Sequence, residues 1–334
     1  MLCPFCLTEL QPRASQCGPC SRHLPSDYVK AHGNWWRKKP AIVSVIGFSG
    51  HGKTVYLASL FYALQKLAPN AWAGFYRQGL TLKTLEMLYR NLDLLMEGRL
   101  PDSTQPGFPE PNIDRLHKIP QFGDRTLLIY DPPGEAFELL GEEGEYIQKH
   151  AGFVRHSRCA LFLVSLKDMM TRFETTDAVA NEMHRLLETY NVGMTNMGAP
   201  RRSQHLIVVY TKGDLLPGNF EGLPEEVADY LERDGVTSLR ELGSYMEGMR
   251  RNSRLLREFS RGVLNAENFL GNADDHFKTV EFCAVSALGA QPVGDRLSER
   301  ITPRRVLDPL LWVLEKSFRL DERLLMKLRK GVVN

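Results

Sequence analysis

Residues 41–54 read AIVSVIGFSGHGKT, and this stretch decides the fold of the chain. The first six residues are mostly valine and isoleucine, which is typical of a short strand buried on both faces. The strand leads directly into the glycine-containing segment 47–54, and residues 55–67 (VYLASLFYALQKL) have the composition of a largely buried helix. A strand, a glycine loop and a helix in direct succession predict an α/β domain.

The glycine loop fits the pattern G-x-x-x-x-G-K-[ST] at every fixed position. Its backbone N–H groups can converge on phosphate oxygens, and the helix N-terminus adds the positive end of its dipole. Lys53 would bridge the β- and γ-phosphates, and Thr54 would hold magnesium through its hydroxyl. The alternative is a glycine turn with an exposed lysine. The remaining expected phosphate contacts come from Gly47, Ser49, Gly50, His51 and Gly52.

Three further motifs follow strand-like runs: DPPGE at 131–135, TKGD at 211–214 and SAL at 286–288. In open parallel sheets ligands bind outside the carboxyl ends of the strands, so these segments should meet the glycine loop at one crevice. Asp131 can hold magnesium through water, and Gly134 can present its N–H group to a γ-phosphate. Each motif alone could be an ordinary turn, but four motifs in strand context favour one nucleotide site.

In this order, GFSGHGKT, DPPGE, TKGD and SAL resemble the phosphate loop, DxxG, NKxD and SAx motifs of the TRAFAC-class GTPases, which have a Ras-like fold. The resemblance covers residues 40–318 and implies a P-loop NTPase domain of the α/β class, with a mostly parallel sheet and helices on both faces. It implies that Asp214 accepts two hydrogen bonds from guanine, a donor pair that adenine lacks. Lys212 would then lie along the base. The N–H group of Ala287 would reach the guanine oxygen, and Ser286 would buttress that loop.

Three positions depart from the pattern of that class. Thr211 stands where asparagine is usual, and we expect this change to loosen the base-binding loop. Ser49 stands where Ras-like members carry glycine, so its side chain would lie near the γ-phosphate and obstruct an arginine finger. Glu135 stands where Ras-like members have the water-positioning glutamine, and it is our candidate for that catalytic position. We therefore expect slow intrinsic hydrolysis.

A helix, a proline-rich loop and a two-stranded hairpin are predicted between the glycine loop and Asp131: residues 80–96, 101–111, 112–119 and 126–130. The loop before that hairpin is where the class places its first switch. Thr104 is our candidate for the threonine that caps magnesium and senses the γ-phosphate. Thr81 and Thr84, inside the predicted helix, are the alternatives.

Four of the six cysteines form two CxxC pairs, Cys3–Cys6 and Cys17–Cys20. Each pair can turn two thiolates toward one point, as a tetrahedral zinc site requires, and four ligands leave no position for a catalytic water. So short a module cannot bury a useful core, so zinc would supply its folding free energy. Free thiols or disulfides are the alternative. The module supplies none of the predicted nucleotide contacts, and we expect nucleotide affinity to depend little on it.

The predicted organisation is a zinc ribbon at 1–25, a linker at 26–40, a GTPase domain at 41–318 and a basic tail at 319–334. A helical insertion is expected at about 217–275. Within the GTPase class, the ribbon and the segment 303–312 (PRRVLDPLLW) are similar to the double-GTPase families of bacterial conflict or signalling systems. No stretch approaches the ~18 apolar residues of a membrane span, and the N-terminus lacks the pattern of a signal peptide, so we expect a cytoplasmic protein.

The sequence therefore predicts a magnesium-dependent GTPase that acts as a regulatory switch, with GTP or GDP, Mg²⁺ and Zn²⁺ bound. A nucleotide-gated adaptor that binds GTP with little hydrolysis is the alternative, and Ser49 and Glu135 favour it. An ATPase would require TKGD to be accidental. We expect a protein partner, bound through the ribbon, the switch loops or the helical insertion. Acidic and basic residues nearly cancel, 40 against 42, which disfavours nucleic acid without ruling it out.

Overall fold

The computed structural model describes residues 1–34, 39–101, 110–131, 152–233, 238–292, 294, 296–297 and 300–317. Within these residues one seven-stranded sheet has the strand order β2-β3-β4-β1-β5-β6-β7. The strands are β1 Ala41–Gly47, β2 Tyr76–Gly79, β3 Asn112–Ile119, β4 Gly123–Tyr130, β5 Cys159–Val164, β6 His205–Tyr210 and β7 Val280–Ala284. Strands β4, β1, β5, β6 and β7 are parallel, whereas β2, β3 and β4 pair antiparallel. The predicted mostly parallel sheet is confirmed.

Ten helices of the described residues surround the sheet. They are α1 Ser26–His32, α2 Lys53–Tyr62, α3 Ala68–Ala71, α4 Leu82–Met96, α5 Leu166–Phe173, α6 Thr176–Asn196, α7 Glu225–Glu232, α8 Leu242–Gly262, α9 Glu267–His276 and α10, residues 308–317. A π-helical turn, Ala63–Leu67, joins α2 to α3. No helix in this described part of the chain is both long and apolar enough to cross a membrane.

Both faces of the sheet are covered, which explains why β1, β5 and β6 are buried at every residue. Along β1, Ile42 and Ile46 point into one core, with buried residues of α1, α5, α6 and α9. Val43 and Val45 point into the other core, with buried residues of α2, α4 and α10. Alternate strand residues face opposite sides, so an unbroken apolar run is what a two-sided sheet needs.

The predicted helix at 80–96 is confirmed as α4, and the predicted hairpin as β3 and β4. Thr81 caps α4 by accepting the N–H group of Thr84 at 3.1 Å. The hydroxyl of Thr84 is buried and accepts the N–H group of Ile113 at 3.1 Å. These two alternatives for the switch threonine therefore hold α4 against β3. Thr104, our first candidate, lies outside the described residues.

The region predicted as a helical insertion folds into α7, α8 and α9. Its apolar residues belong to the two cores, with Val227 and Phe269 on one face of the sheet and Met246 on the other. Three arginines of α8 form ion pairs with acidic residues: Arg251 with Glu226, Arg257 with Asp274 and Arg261 with Glu267. The helices are thus part of the packed domain, and the positive charges of these three arginines are largely neutralised.

Candidate nucleotide-binding site

The glycine loop has the backbone that close phosphate approach requires. A Cβ atom at Gly47 would lie 2.4 Å from the carbonyl oxygen of Leu163 on β5, so no larger residue fits there. Gly52, directly before α2, has a left-handed φ of 80°, which L-residues with side chains rarely adopt. These two glycines turn the chain from β1 into α2, so that the N-terminus of α2 directly follows the loop.

Lys53 is buried at the first position of α2. Its Nζ atom donates hydrogen bonds to the carbonyl oxygens of Gly47, at 2.9 Å, and Phe48, at 2.7 Å. The ammonium group therefore lies inside the curve of the loop and is not the exposed lysine of an ordinary glycine turn. Thr54 follows in the first turn of α2, and Ser49 is exposed at the tip of the loop with Gly50.

The other motifs emerge at the same edge of the sheet. Asp131 directly follows β4, which pairs in parallel with β1. The TKGD segment follows β6, and SAL follows β7, its parallel neighbour. Asp131 and the other three motifs thus follow the carboxyl ends of one parallel set of strands, as predicted. Gly134 and Glu135 of the DPPGE motif lie outside the described residues.

Thr211 joins the TKGD segment to the glycine loop. Its Oγ1 atom donates to the carbonyl oxygen of His51 at 2.9 Å, and its N–H group donates to the carbonyl oxygen of Val164 at 2.9 Å. The Thr211 side chain thus reaches the glycine loop. That the change from asparagine loosens the base-binding loop stays a prediction. The phosphate-binding and base-binding segments form one connected surface.

His51 makes a second connection through its side chain. Its Nδ1 atom accepts the N–H group of Ser165, directly after β5, at 3.1 Å. Burial lowers the pKa of His51 to about 4, so at neutral pH the ring is uncharged and Nδ1 can act as an acceptor. The buried ring also lies beside Phe48, with centroids 4.8 Å apart. His51 is thus a structural member of the loop.

Ser165 and Asp168 are two site residues that the motif search missed. Ser165 caps α5 by accepting the N–H group of Asp168 at 3.3 Å. Asp168 in turn forms an ion pair with Lys212 of the TKGD segment, at 2.6 Å. The signal was present in the sequence, since Ser165-Leu166-Lys167-Asp168 is a capping box after a strand. What it could not show was which lysine the carboxylate meets.

Asp214 lies in a short 3-10 turn, Gly213–Leu215, that follows Lys212 in a left-handed conformation with φ of 54°. The turn is fixed because the N–H group of Gly213 donates to the carbonyl oxygen of Val285, at the end of β7, at 2.8 Å. The Asp214 side chain is half-buried, and no side chain among the described residues hydrogen-bonds to its carboxylate. It is available to a ligand.

The SAL segment is held in two ways. The Oγ atom of Ser286 accepts the N–H group of Gly289 at 3.0 Å, and Ser286 also pairs with Arg304 through two backbone hydrogen bonds. Ser59 of α2 donates to the carbonyl oxygen of Ala287 at 2.7 Å. The helix that follows the glycine loop therefore also fixes the loop after β7, and it brings the two ends of the site together.

The four cysteines near the N-terminus lie together, with their Sγ atoms all within 4.8 Å of one another. The Cys3–Cys20 and Cys6–Cys17 sulfur pairs are 3.8 and 3.5 Å apart. Four sulfurs about 2.3 Å from one tetrahedral zinc would be about 3.8 Å apart, so this arrangement fits zinc. The structure contains no disulfide among these residues, which disfavours that alternative.

The cysteine module is not separated from the domain by an open linker. The segment 26–40 begins with α1, whose Tyr28 is buried in the core of the sheet. Leu7 of the module belongs to the same core. Trp35 and Trp36 of this segment lie outside the described residues.

A parallel sheet with a glycine loop, a buried lysine, a strand-end aspartate and a TKGD turn at one edge defines a P-loop protein of the GTPase type. The profile of the family Double-GTPase 2 matches residues 41–259, more than half of the 334 residues. The chain belongs to this family and is a GTP-binding P-loop protein. The predicted similarity to double-GTPase families is confirmed. No protein with a curated function matches the sequence.

Similar folds occur among solved structures, all at low identity. Elongation factor SelB from Methanococcus maripaludis, in complex with the GTP analogue GppNHp, is 13% identical, with 75% of this chain and 30% of that chain covered and a TM-score of 0.28. A bacterial selenocysteine-specific elongation factor is 16% identical, with 75% and 26% covered and a TM-score of 0.28. The GTPase-like domain of Ski7 from S. cerevisiae, bound to GDP and inorganic phosphate, is 12% identical, with 87% and 52% covered and a TM-score of 0.37. The chain spans at most 52% of the lengths of these structures.

Proposed function

We propose that the protein is a magnesium-dependent GTPase that serves as a regulatory switch. The observation that supports this most directly is the hydrogen bond from Thr211 to the carbonyl oxygen of His51, at 2.9 Å. It places the TKGD turn at a fixed position relative to the glycine loop, so that one nucleotide can span both.

In this proposal Lys53 neutralises charge on the β- and γ-phosphates, and the backbone of residues 47–52 surrounds them. Thr54 and Asp131 would hold magnesium, which supplies positive charge at the transferring phosphoryl group. Thr104 would complete that magnesium site, Gly134 would contact the γ-phosphate, and Glu135 would position the attacking water. The last three assignments rest on the motif order alone.

The base would bind between the TKGD and SAL segments. Asp214 would accept from the two adjacent guanine donors, and the N–H group of Ala287 would donate to the guanine oxygen. Lys212 would lie along the base with its ammonium group held by Asp168 at 2.6 Å. This pair lowers the freedom of the lysine before ligand binds, which reduces the entropic cost of ordering it.

Slow turnover is part of the proposal, because Ser49 is exposed at the tip of the glycine loop, where a stimulating arginine would enter. The second candidate function, an adaptor that binds GTP with little hydrolysis, shares every binding residue and differs only in rate. In either case a protein partner would recognise which nucleotide is bound, through contacts with the ribbon, the switch loops or the helical region.

The proposal predicts that the protein with Mg²⁺ binds GTP at least about tenfold more tightly than ATP, because only guanine offers the donor pair to Asp214. Affinities measured side by side, followed by single-turnover hydrolysis of both nucleotides, test this. Measurable GTP hydrolysis supports the switch, and tight binding with no turnover over hours supports the adaptor. Preference for ATP would overturn both.

The cysteine cluster predicts one bound Zn²⁺ per chain, because the small module has few apolar residues of its own. Metal analysis of the purified protein by mass spectrometry should find this stoichiometry. The double variant Cys3→Ser and Cys20→Ser should lose the metal. Cys159→Ser and Cys283→Ser, which alter buried cysteines of the sheet, should retain it wherever the variant folds. Wild-type protein without zinc would refute the assignment.

A further inference from the structure

The cysteine ribbon, residues 1–25, contacts the strand that ends at the proposed magnesium ligand. Tyr130, the last residue of β4, is fully buried, and its hydroxyl donates to the carbonyl oxygen of Pro4 at 2.7 Å. Pro4 lies between Cys3 and Cys6, within the first CxxC knuckle. The next residue after Tyr130 is Asp131. A buried hydrogen bond therefore joins the metal-binding knuckle to the neighbour of a nucleotide-site residue.

The position of the Pro4 carbonyl depends on the knuckle. The N–H group of Phe5 points to the Sγ atom of Cys3 at 3.4 Å, and the module's own core among the described residues contains only three buried residues, Cys3, Cys17 and Leu24. Zinc would hold this knuckle in shape through the cysteine sulfurs. Once the metal is removed, the knuckle loses the bonds between its sulfurs and zinc that would fix the carbonyl oxygen of Pro4 against Tyr130, while Leu7 and the hydrogen bond from Tyr28 to Leu2 still hold the ribbon on the domain.

Loss of that acceptor has a consequence inside the domain. A buried hydroxyl without a partner is costly, so Tyr130 would shift to find another. Its ring is stacked on that of Phe153, with centroids 4.5 Å apart and planes 7° apart, so the ring cannot move alone. Because Asp131 is covalently bonded to Tyr130, a shift of the Tyr130 backbone would displace Asp131.

A second contact lies near the candidate first switch but is weaker. Arg22 of the ribbon pairs with Glu110 at 2.7 Å, and both side chains are partly exposed to solvent, 46% and 32%. Glu110 is also shared with Lys83. Exposed ion pairs typically contribute ~0–1 kcal/mol, so the buried Tyr130 contact is the stronger connection.

We propose that Tyr130 is a positioning residue that couples the cysteine ribbon to the magnesium side of the nucleotide site, so that zinc and magnesium-bound GTP strengthen each other's binding. The proposal rests on the proposed GTPase function. It replaces the sequence-based expectation that nucleotide affinity depends little on the ribbon. By linkage, the factor by which zinc raises nucleotide affinity equals the factor by which nucleotide raises zinc affinity.

The chain offers a matched control in Tyr28. This residue of α1 is also fully buried, and its hydroxyl donates to the carbonyl oxygen of Leu2 in the same ribbon at 2.8 Å. It is adjacent to no predicted nucleotide contact. Tyr130→Phe and Tyr28→Phe each delete one buried hydroxyl that faces the ribbon backbone and leave the aromatic ring in place. A merely structural role would make the two variants behave alike.

The test uses the full chain and a non-hydrolysable GTP analogue with Mg²⁺. In wild type and Tyr28→Phe, stripping zinc with a chelator should weaken analogue binding at least about fivefold, the lower end of typical coupling. In Tyr130→Phe the same treatment should change it less than about twofold. On native protein, the analogue should slow zinc transfer to a chromogenic chelator in wild type and Tyr28→Phe, and not in Tyr130→Phe.

The zinc-transfer rates test the coupling even if the zinc-free chain unfolds, because they are measured on native protein. The coupling would be overturned by equal zinc-transfer rates with and without analogue in wild type, or by the same response in both tyrosine variants. The GTPase proposal would stay intact in that case, provided that zinc-loaded protein binds the analogue. If the zinc-loaded wild type binds no GTP analogue, the proposed function fails and the coupling fails with it.

Discussion

Lys53→Ala should weaken GTP binding by about 10- to 100-fold and abolish turnover. This factor corresponds to the ~1.5–3 kcal/mol that a hydrogen bond to a charged group typically contributes. The structure supports a large effect, because the ammonium group is buried and already points into the glycine loop, with the carbonyl oxygens of Gly47 and Phe48 at 2.9 and 2.7 Å. Removing it leaves the β- and γ-phosphates without the cation that compensates their charge.

Lys66→Ala is the matched control, since Lys66 is an exposed lysine further along the same continuous helical segment. It should bind and hydrolyse GTP like wild type. Affinity from a fluorescent GTP analogue and single-turnover rates measure the two effects separately. GTP hydrolysis by Lys53→Ala at the wild-type rate would place the active site elsewhere in the chain.

The sheet could be predicted from sequence because each of its strands can be recognised from the composition of its own residues. Residues 41–46, 159–164 and 205–210 are apolar runs interrupted only by Ser44 and His205, and each forms a strand buried at every position. The glycine loop, TKGD and SAL follow such runs, so their convergence at one edge follows from parallel pairing alone. The hairpin of β3 and β4 was equally visible, from two runs around a short polar turn.

The connections between these elements could not be predicted, because they join residues far apart in the chain. Thr211 and His51, or Asp168 and Lys212, meet only after the strands take their order in the sheet. For this reason the sequence could not show that Thr211 reaches the glycine loop. A substitution away from the usual asparagine says nothing about whether the new hydroxyl reaches the same neighbour.

Docking of the ribbon was hidden for the same physical reason. Tyr130 was correctly read as part of a strand, but nothing in RTLLIY indicates that its hydroxyl meets the carbonyl oxygen of Pro4, 126 positions away. Core packing alone explains an aromatic residue in a strand. The partner of a tyrosine hydroxyl is decided only when folding brings distant residues together. The segment 26–40 likewise contains a short amphipathic helix, α1, which the charged and polar residues of the segment did not indicate.

Asp214→Asn should lower GTP affinity at least about tenfold and raise affinity for XTP. The carboxylate is half-buried in a turn fixed by the bond from Gly213 to Val285, so its orientation survives the substitution. The new amide presents a donor to a guanine donor, and buried groups left unpaired cost about 1–3 kcal/mol each. Xanthine carries a carbonyl where guanine carries its amino group, so the amide can donate to it.

ATP separates this result from a general loosening of the site, because no contact to its amino group is created and its affinity should not rise. Asp93→Asn, which alters an exposed aspartate of α4, controls for the loss of one negative charge and should leave all three affinities unchanged. Competition of GTP, XTP and ATP against one fluorescent nucleotide gives the comparison in a single format. If Asp214→Asn binds GTP as wild type does, TKGD is only a turn. The base specificity proposed for this chain would then fall, while Lys53 and the glycine loop would still define a P-loop site.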